Sequence, residues 1–171
     1  YTADTVFYQN SKAYAYFRKM TEGFFVKPIG DMRYTGAALK PEVWVYDGAK
    51  QLELNKDYKV SYKYNKDASP AGKKTAVVTV KGIGNYSGTQ KVYFGILPVD
   101  VSTDLVSAED LTVVATGKQL KNKPVVKFGT KKLAYNKDYT LEWRNTAEGA
   151  YKNPGTYVIT VVGKKNFTGE R

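Results

Sequence analysis

The sequence predicts an all-β chain of tandem small antiparallel β-sandwiches. Three observations carry this: short stretches of alternating apolar residues, turn-forming residues between them, and a repeat that spans most of the 171 residues. Alternation with period two marks a half-buried strand, and no segment shows helical periodicity with caps. Shifting the chain by 81 residues lays 35–88 on 116–169 without a gap. The match gives 19 identities in 54 positions, which identifies tandem units rather than chance likeness.

Taken in order, residues 1–28 read as the C-terminal strands of a preceding unit or as an N-terminal extension. "TVFYQNSKAYAYFRK" puts Ala13, Ala15 and Phe17 on one face and Tyr14 and Tyr16 on the other. "GFFVKPIGD" is similar to "YFGILPVD", the end of the first repeat. The first unit spans 29–99. "EVWVYDG", "DYKVSYKY", "TAVVTVKG" and "KVYFGIL" are its strands, and "YDGAK", "LNKD", "SPAGKK" and "GIGNYSG" punctuate them. Residues 100–110, "DVSTDLVSAED", read as an acidic linker. The second unit spans 111–171, with "DYTLEWRN" and "TYVITVVG" as the matching strands.

The tetrapeptide Asn55-Lys56-Asp57-Tyr58 returns as Asn136-Lys137-Asp138-Tyr139. Asn and Asp tolerate left-handed turn geometry, and each Tyr starts an inward face. A turn at a fixed place in a repeated unit explains both copies. A duplicated active site would need a partner base, and none recurs beside it.

The first repeat runs from "NYSG" into "TQKVYFGIL", whereas the second reaches Arg171 just after "NFTG". The second unit is therefore expected to lack its last strand. Two origins are open. The chain is a part of a longer array, or a neighbouring copy donates its N-terminal stretch, a head-to-tail contact that would build a filament.

Composition narrows the chemistry. There is no Cys and no His, which excludes disulfides, thiolate chemistry and any triad built on His. No enzymatic activity is expected. The net charge of +11 comes from 23 Lys and 4 Arg against 16 acidic residues, and it favours anionic polymers. Base-reading proteins lean on clustered Arg, whereas Lys is spread here along the whole chain, so nucleic acid is not the expected partner. Dispersed Lys also keeps strand edges from pairing. No apolar run approaches the roughly 20 residues of a membrane span.

Two groups of residues are candidates for binding. Trp44 and Tyr46 alternate with Val43 and Val45, so if the valines point inward the aromatics point outward. There they would stack on sugar rings or on a partner surface, or pack against a neighbouring unit. Asp100, Asp104, Glu109 and Asp110 lie in a stretch with no basic residue. A calcium ion held by several of these carboxylates would stiffen the junction, but their spacing matches no calcium loop, and a solvated linker is the competing reading. "GIGNYSG" lacks the helix and the Lys-Ser/Thr of a phosphate loop and reads as a hairpin turn.

The motifs "YTGAALKP" (34–41), "DGAKQL" (47–52), "DYKVSY" (57–62), "AVVTVKGIGNYSG" (76–88) and "FGILP" (94–98) form a connected pattern. "ATGKQLKN", "FGTKKL", "DYTLEW" and "YVITVVGKKNFTG" repeat it more loosely, without the "DG" and the "GxGNY". This pattern resembles the bacterial Ig-like repeats of large surface proteins in Gram-positive Firmicutes, over residues 24–171. The resemblance implies Ig-like sandwiches and a secreted, cell-surface or cell-wall location. It implies a structural or adhesive segment without catalysis whose partners are adjacent repeats, and it assigns no binding residue. The alternative function is a module that binds carbohydrate or wall polymer, accessory to a secreted glycan-degrading enzyme.

Overall fold

A computed structural model describes the backbone of 4–8 and 14–18, and residues 23–120, 122–144 and 151–171 in full. The described chain is all-β, in several small sheets. β1 (Asp4–Tyr8) and β2 (Tyr14–Arg18) pair antiparallel as a two-stranded sheet of their own, in register Asp4↔Arg18 to Tyr8↔Tyr14. The remainder of the stretch offered as a donor strand lies outside the described residues.

The first unit opens with β3 (Phe25–Val26) and β4 (Met32–Arg33). β3 joins β5 (Val45–Asp47) and β6 (Lys50–Gln51) in one antiparallel sheet. β7 (Tyr58–Lys63), β8 (Ala76–Gly82) and β9 (Thr89–Phe94) form the second. Alternation sets the inward face: Ala76, Val78 and Val80 are fully buried along β8. The chain then crosses to the other side as β10 (Ile96–Leu97), which runs parallel to β4. Purely antiparallel sheets were expected, and this pairing departs from that. β4 and β10 form a two-stranded sheet of their own, apart from the two three-stranded sheets.

β11 (Val99–Asp100) and β12 (Val106–Ala108) follow. The acidic stretch expected as a linker thus contributes strand: β12 pairs with β13 (Val126–Phe128), as β3 pairs with β5. β3 belongs in the same way to the first unit's own sheet, although the sequence grouped it with the segment before. β14 (Lys131–Lys132) completes the β12-β13 sheet. β15 (Tyr139–Trp143) and β16 (Ile159–Gly163) pair antiparallel, and β17 (Phe167–Thr168) lies parallel to β11.

The repeated tetrapeptide folds the same way twice. Asn55 and Asn136 are left-handed, with φ of 68° and 66°. Asn55 N donates to Tyr58 O at 2.7 Å, and Asn136 N to Tyr139 O at 2.8 Å. The Asp57 and Asp138 carboxylates each accept a backbone N–H, from Glu53 and Ala134, at 2.9 Å. Asn is among the few side chains that tolerate the left-handed region, and a carboxylate two residues on satisfies the freed donor. Downstream, Gly82 and Gly163 sit where a Cβ would come within 3 Å of the following turn's backbone. That close approach explains why both units place Gly there.

Candidate functional site

The aromatic candidates occupy the solvent face of the β3-β5-β6 sheet. Val43 and Val45 are buried, so Trp44 and Tyr46 point the other way, as alternation requires. Trp44 is 37% exposed and Tyr46 half-buried. Phe25, 58% exposed, stands directly across from Tyr46. Sequence reasoning missed Phe25. Its signal was the Phe24-Phe25 pair, of which the period-two rule sends one ring in and one out. Lys27 N donates to Trp44 O at 2.9 Å and fixes this edge, while Gln90 Nε2 donates to Phe24 O from β9.

Trp44 also borders a groove of 620 Å³ between the 40–44 and 51–55 segments and β7. Leu52, Tyr58, Val60 and Tyr62 line its floor, and Glu53, Asn55 and Lys59 its sides. Tyr58 Oη donates to Val43 O and Tyr62 Oη to Pro41 O, both at 2.8 Å. These bonds tie the Trp44-bearing segment to β7. Burial pushes the pKa of both phenols up, so they remain neutral donors. Such a groove, with flat rings beside hydrogen-bonding side chains, suits the apolar face and hydroxyl rim of a sugar. The second unit carries Val125 in place of Trp44, and there Lys123 Nζ lies 3.8 Å from the centre of the Tyr135 ring.

The four acidic candidates do different things. Asp100 Oδ1 accepts Ser102 N at 2.8 Å, and that hydrogen bond lowers the Asp100 pKa. Glu109 pairs with Lys127 at 2.6 Å. Asp104 and Asp110 are exposed. Among the described residues no three acidic groups come together as a metal site.

A third feature was not foreseen: the joint between the units. Tyr34, Phe128 and Phe167 form a ring cluster. Tyr34 and Phe128 are stacked 6.0 Å apart, and Phe167 meets them edge-on at 5.7 and 5.5 Å. Asn166 Oδ1 accepts Ala68 N at 2.7 Å, and its Nδ2 donates to Asp67 at 3.1 Å. Val99 N and Val101 N donate to the carbonyls of Asn166 and Thr168 at 2.9 and 2.8 Å. The Arg171 guanidinium reaches the carbonyls of Val101, Ser102 and Thr103 at 3.3–3.5 Å. Burial, reinforced by Asp67 and Asp138, raises the Tyr34 pKa. Under the 81-residue shift Tyr34 matches Ala115, Phe128 matches Asp47 and Phe167 matches Tyr86, so only the last of the three positions is aromatic in both units.

No family model, curated protein or solved structure matches this chain. Among the described residues no helix is long and apolar enough to cross a membrane.

Proposed function

We propose that the chain is a non-catalytic structural or adhesive segment of a bacterial extracellular surface protein, made of two tandem Ig-like sandwiches. One observation carries this reading: the units are joined by the Tyr34, Phe128 and Phe167 ring cluster and by the two Asn166 side-chain hydrogen bonds that reach across the boundary. Tandem modules that transmit load or hold a tip away from a wall need such joints, because a loose tether would let them fold back. Nuclear magnetic relaxation tests it. Both units are expected to tumble with one correlation time, and Tyr34→Ala combined with Asn166→Ala to separate them. Independent tumbling in the unmodified chain would end the reading.

The exposed Phe25 and Trp44, the half-buried Tyr46 and the adjoining groove favour a second reading, a carbohydrate- or wall-polymer-binding module. Here the +11 charge would add affinity for anionic polymers. Titrating glycans and teichoic-acid-like polyanions against tryptophan fluorescence distinguishes the two. Binding lost in Trp44→Ala but kept in Lys123→Ala supports it; a chain that binds none of these polymers refutes it.

A further inference from the structure

The outer face of the β7-β8-β9 sheet is basic, with no carboxylate on its strands to offset the charge. The registers fix which side chains share it. Lys59, Lys81 and Thr89 form one cross-strand row, and Ser61, Thr79 and Lys91 the next. Lys63 stands one row further along β7. All four lysines are exposed, while the alternate residues Val60, Val78 and Val80 pack into the core. No Asp or Glu occurs in these three strands. Among the described residues none of the four lysines forms an ion pair.

Lys59 and Lys81 stand directly opposite each other, an arrangement of like charges that weakens a sheet. Edge protection does not explain Lys81, because β8 is the central strand and is paired on both sides. Nor does the scaffold require it. In the second unit Thr140 and Val162 hold the places of Lys59 and Lys81, and Glu142 that of Ser61. The same strand pair folds there without the charge.

We propose that this face binds a linear polymer of phosphodiester-linked polyols, one phosphate between Lys59 and Lys81 and the next against Lys91 and the hydroxyls of Ser61 and Thr79. Rows two residues apart repeat about every 7 Å, so an extended chain of regularly spaced anions meets one row after another. The ammonium group of Lys is a point charge that suits phosphate, whereas the planar carboxylate is better matched by Arg, and these strands carry no Arg. Nucleic acid would call for stacking platforms or base-edge contacts, and Tyr93 is the only exposed ring on these strands. An anionic membrane would call for apolar side chains among the lysines, where this face places Ser61, Thr79 and Thr89. The site lies on the other sheet of the unit from Phe25, Trp44 and Tyr46; of the four lysines only Lys59 also borders the Trp44 groove.

The test titrates poly(glycerol phosphate) into the full chain at low ionic strength, followed by calorimetry. Lys81→Val with Lys91→Thr removes two charges away from the groove and places at 81 the residue type that the second unit carries. Binding is expected to weaken about tenfold, as two exposed charge contacts allow, with no loss in Tm. Lys81→Gln with Lys91→Gln, which keeps both side chains long, should weaken it as much. Two controls are expected to bind like the unmodified chain: Trp44→Ala, and Lys131→Thr with Lys132→Thr, which removes the same charge from the second unit. Equal weakening in the Lys131 and Lys132 control would reduce the effect to net charge and overturns the proposal. Loss in Trp44→Ala with retention in the Lys81 variants assigns the polymer to the groove instead and also overturns it. So does tighter binding of single-stranded DNA or of phosphatidylglycerol vesicles than of the polymer, or no binding by the unmodified chain.

Discussion

Val78 and Ile159 hold the same position in the two units, yet Val78 is 0% exposed and Ile159 only half-buried. Ile159 is the larger and no less apolar side chain, so its own chemistry does not explain the difference. The neighbours do. Val78 pairs with Val92 of β9 and shares a core with Phe94 and Ile96, whereas Ile159 lines an open cleft of 650 Å³ with Val113, Leu120, Trp143, Tyr151 and Tyr157. The turns of the two units, by contrast, agree bond for bond. Local structure is thus repeated wherever the sequence repeats, and burial is repeated only where the surrounding strands repeat as well.

The sharpest way to break this comparison is to open the first unit. Phe94→Ala removes a fully buried ring, and is expected to cost about 3–5 kcal/mol. Ile159→Ala should cost less than about 2 kcal/mol, because the cleft already leaves that side chain part-solvated. Urea denaturation of both variants measures it; equal losses would mean that the two strands are buried alike.

Gly82→Ala and Gly163→Ala probe what the units share. Each new Cβ would meet backbone, Ser87 N at 2.9 Å and Thr168 N at 2.6 Å, neither of which can swing aside like a side-chain tip. Losses of about 1–3 kcal/mol are expected in both, with the second at least as large. A neutral Gly163→Ala would show that the second turn yields where the first does not.

Asp57→Ala and Asp138→Ala delete the same 2.9 Å bond in two environments. Asp57 is buried and Asp138 half-exposed. About 2 kcal/mol is expected for the first and about 1 kcal/mol for the second, since water replaces part of the lost acceptor at Asp138.

The smallest effect is alkaline. Burial raises the folded-state pKa of Tyr58, Tyr62 and Tyr139 above 10.0, and Tyr34 shifts the same way at the joint. Between the unfolded and folded pKa values the native state holds the extra protons. Their contribution is therefore whole below about pH 10 and declines as pH rises through the folded pKa values. The first unit has three of these phenols and the second one, so unit one should lose stability more steeply above pH 10. Thermal scans from pH 8 to 11.5, with Trp44 and Trp143 as separate fluorescent reporters, check this. A steeper fall at Trp143 would contradict it.

By itself the sequence determined the β class, the alternation along β7 and β8, the repeated turn at Asn55 and Asn136, and the outward direction of Trp44. Each follows from a rule acting within a few residues: period two for strands and left-handed tolerance for Asn. Only the tertiary structure decided that Val106–Ala108 leaves an acidic stretch to join a sheet, and that β10 and β11 run parallel to their partners β4 and β17. The same holds for Phe25 facing Tyr46, and for Tyr34, Phe128, Phe167 and Asn166 closing the joint between units. Those residues are far apart in the chain. Their energies come from burial and from hydrogen bonds to partners that no local pattern names, so they become legible only once the strands are placed side by side.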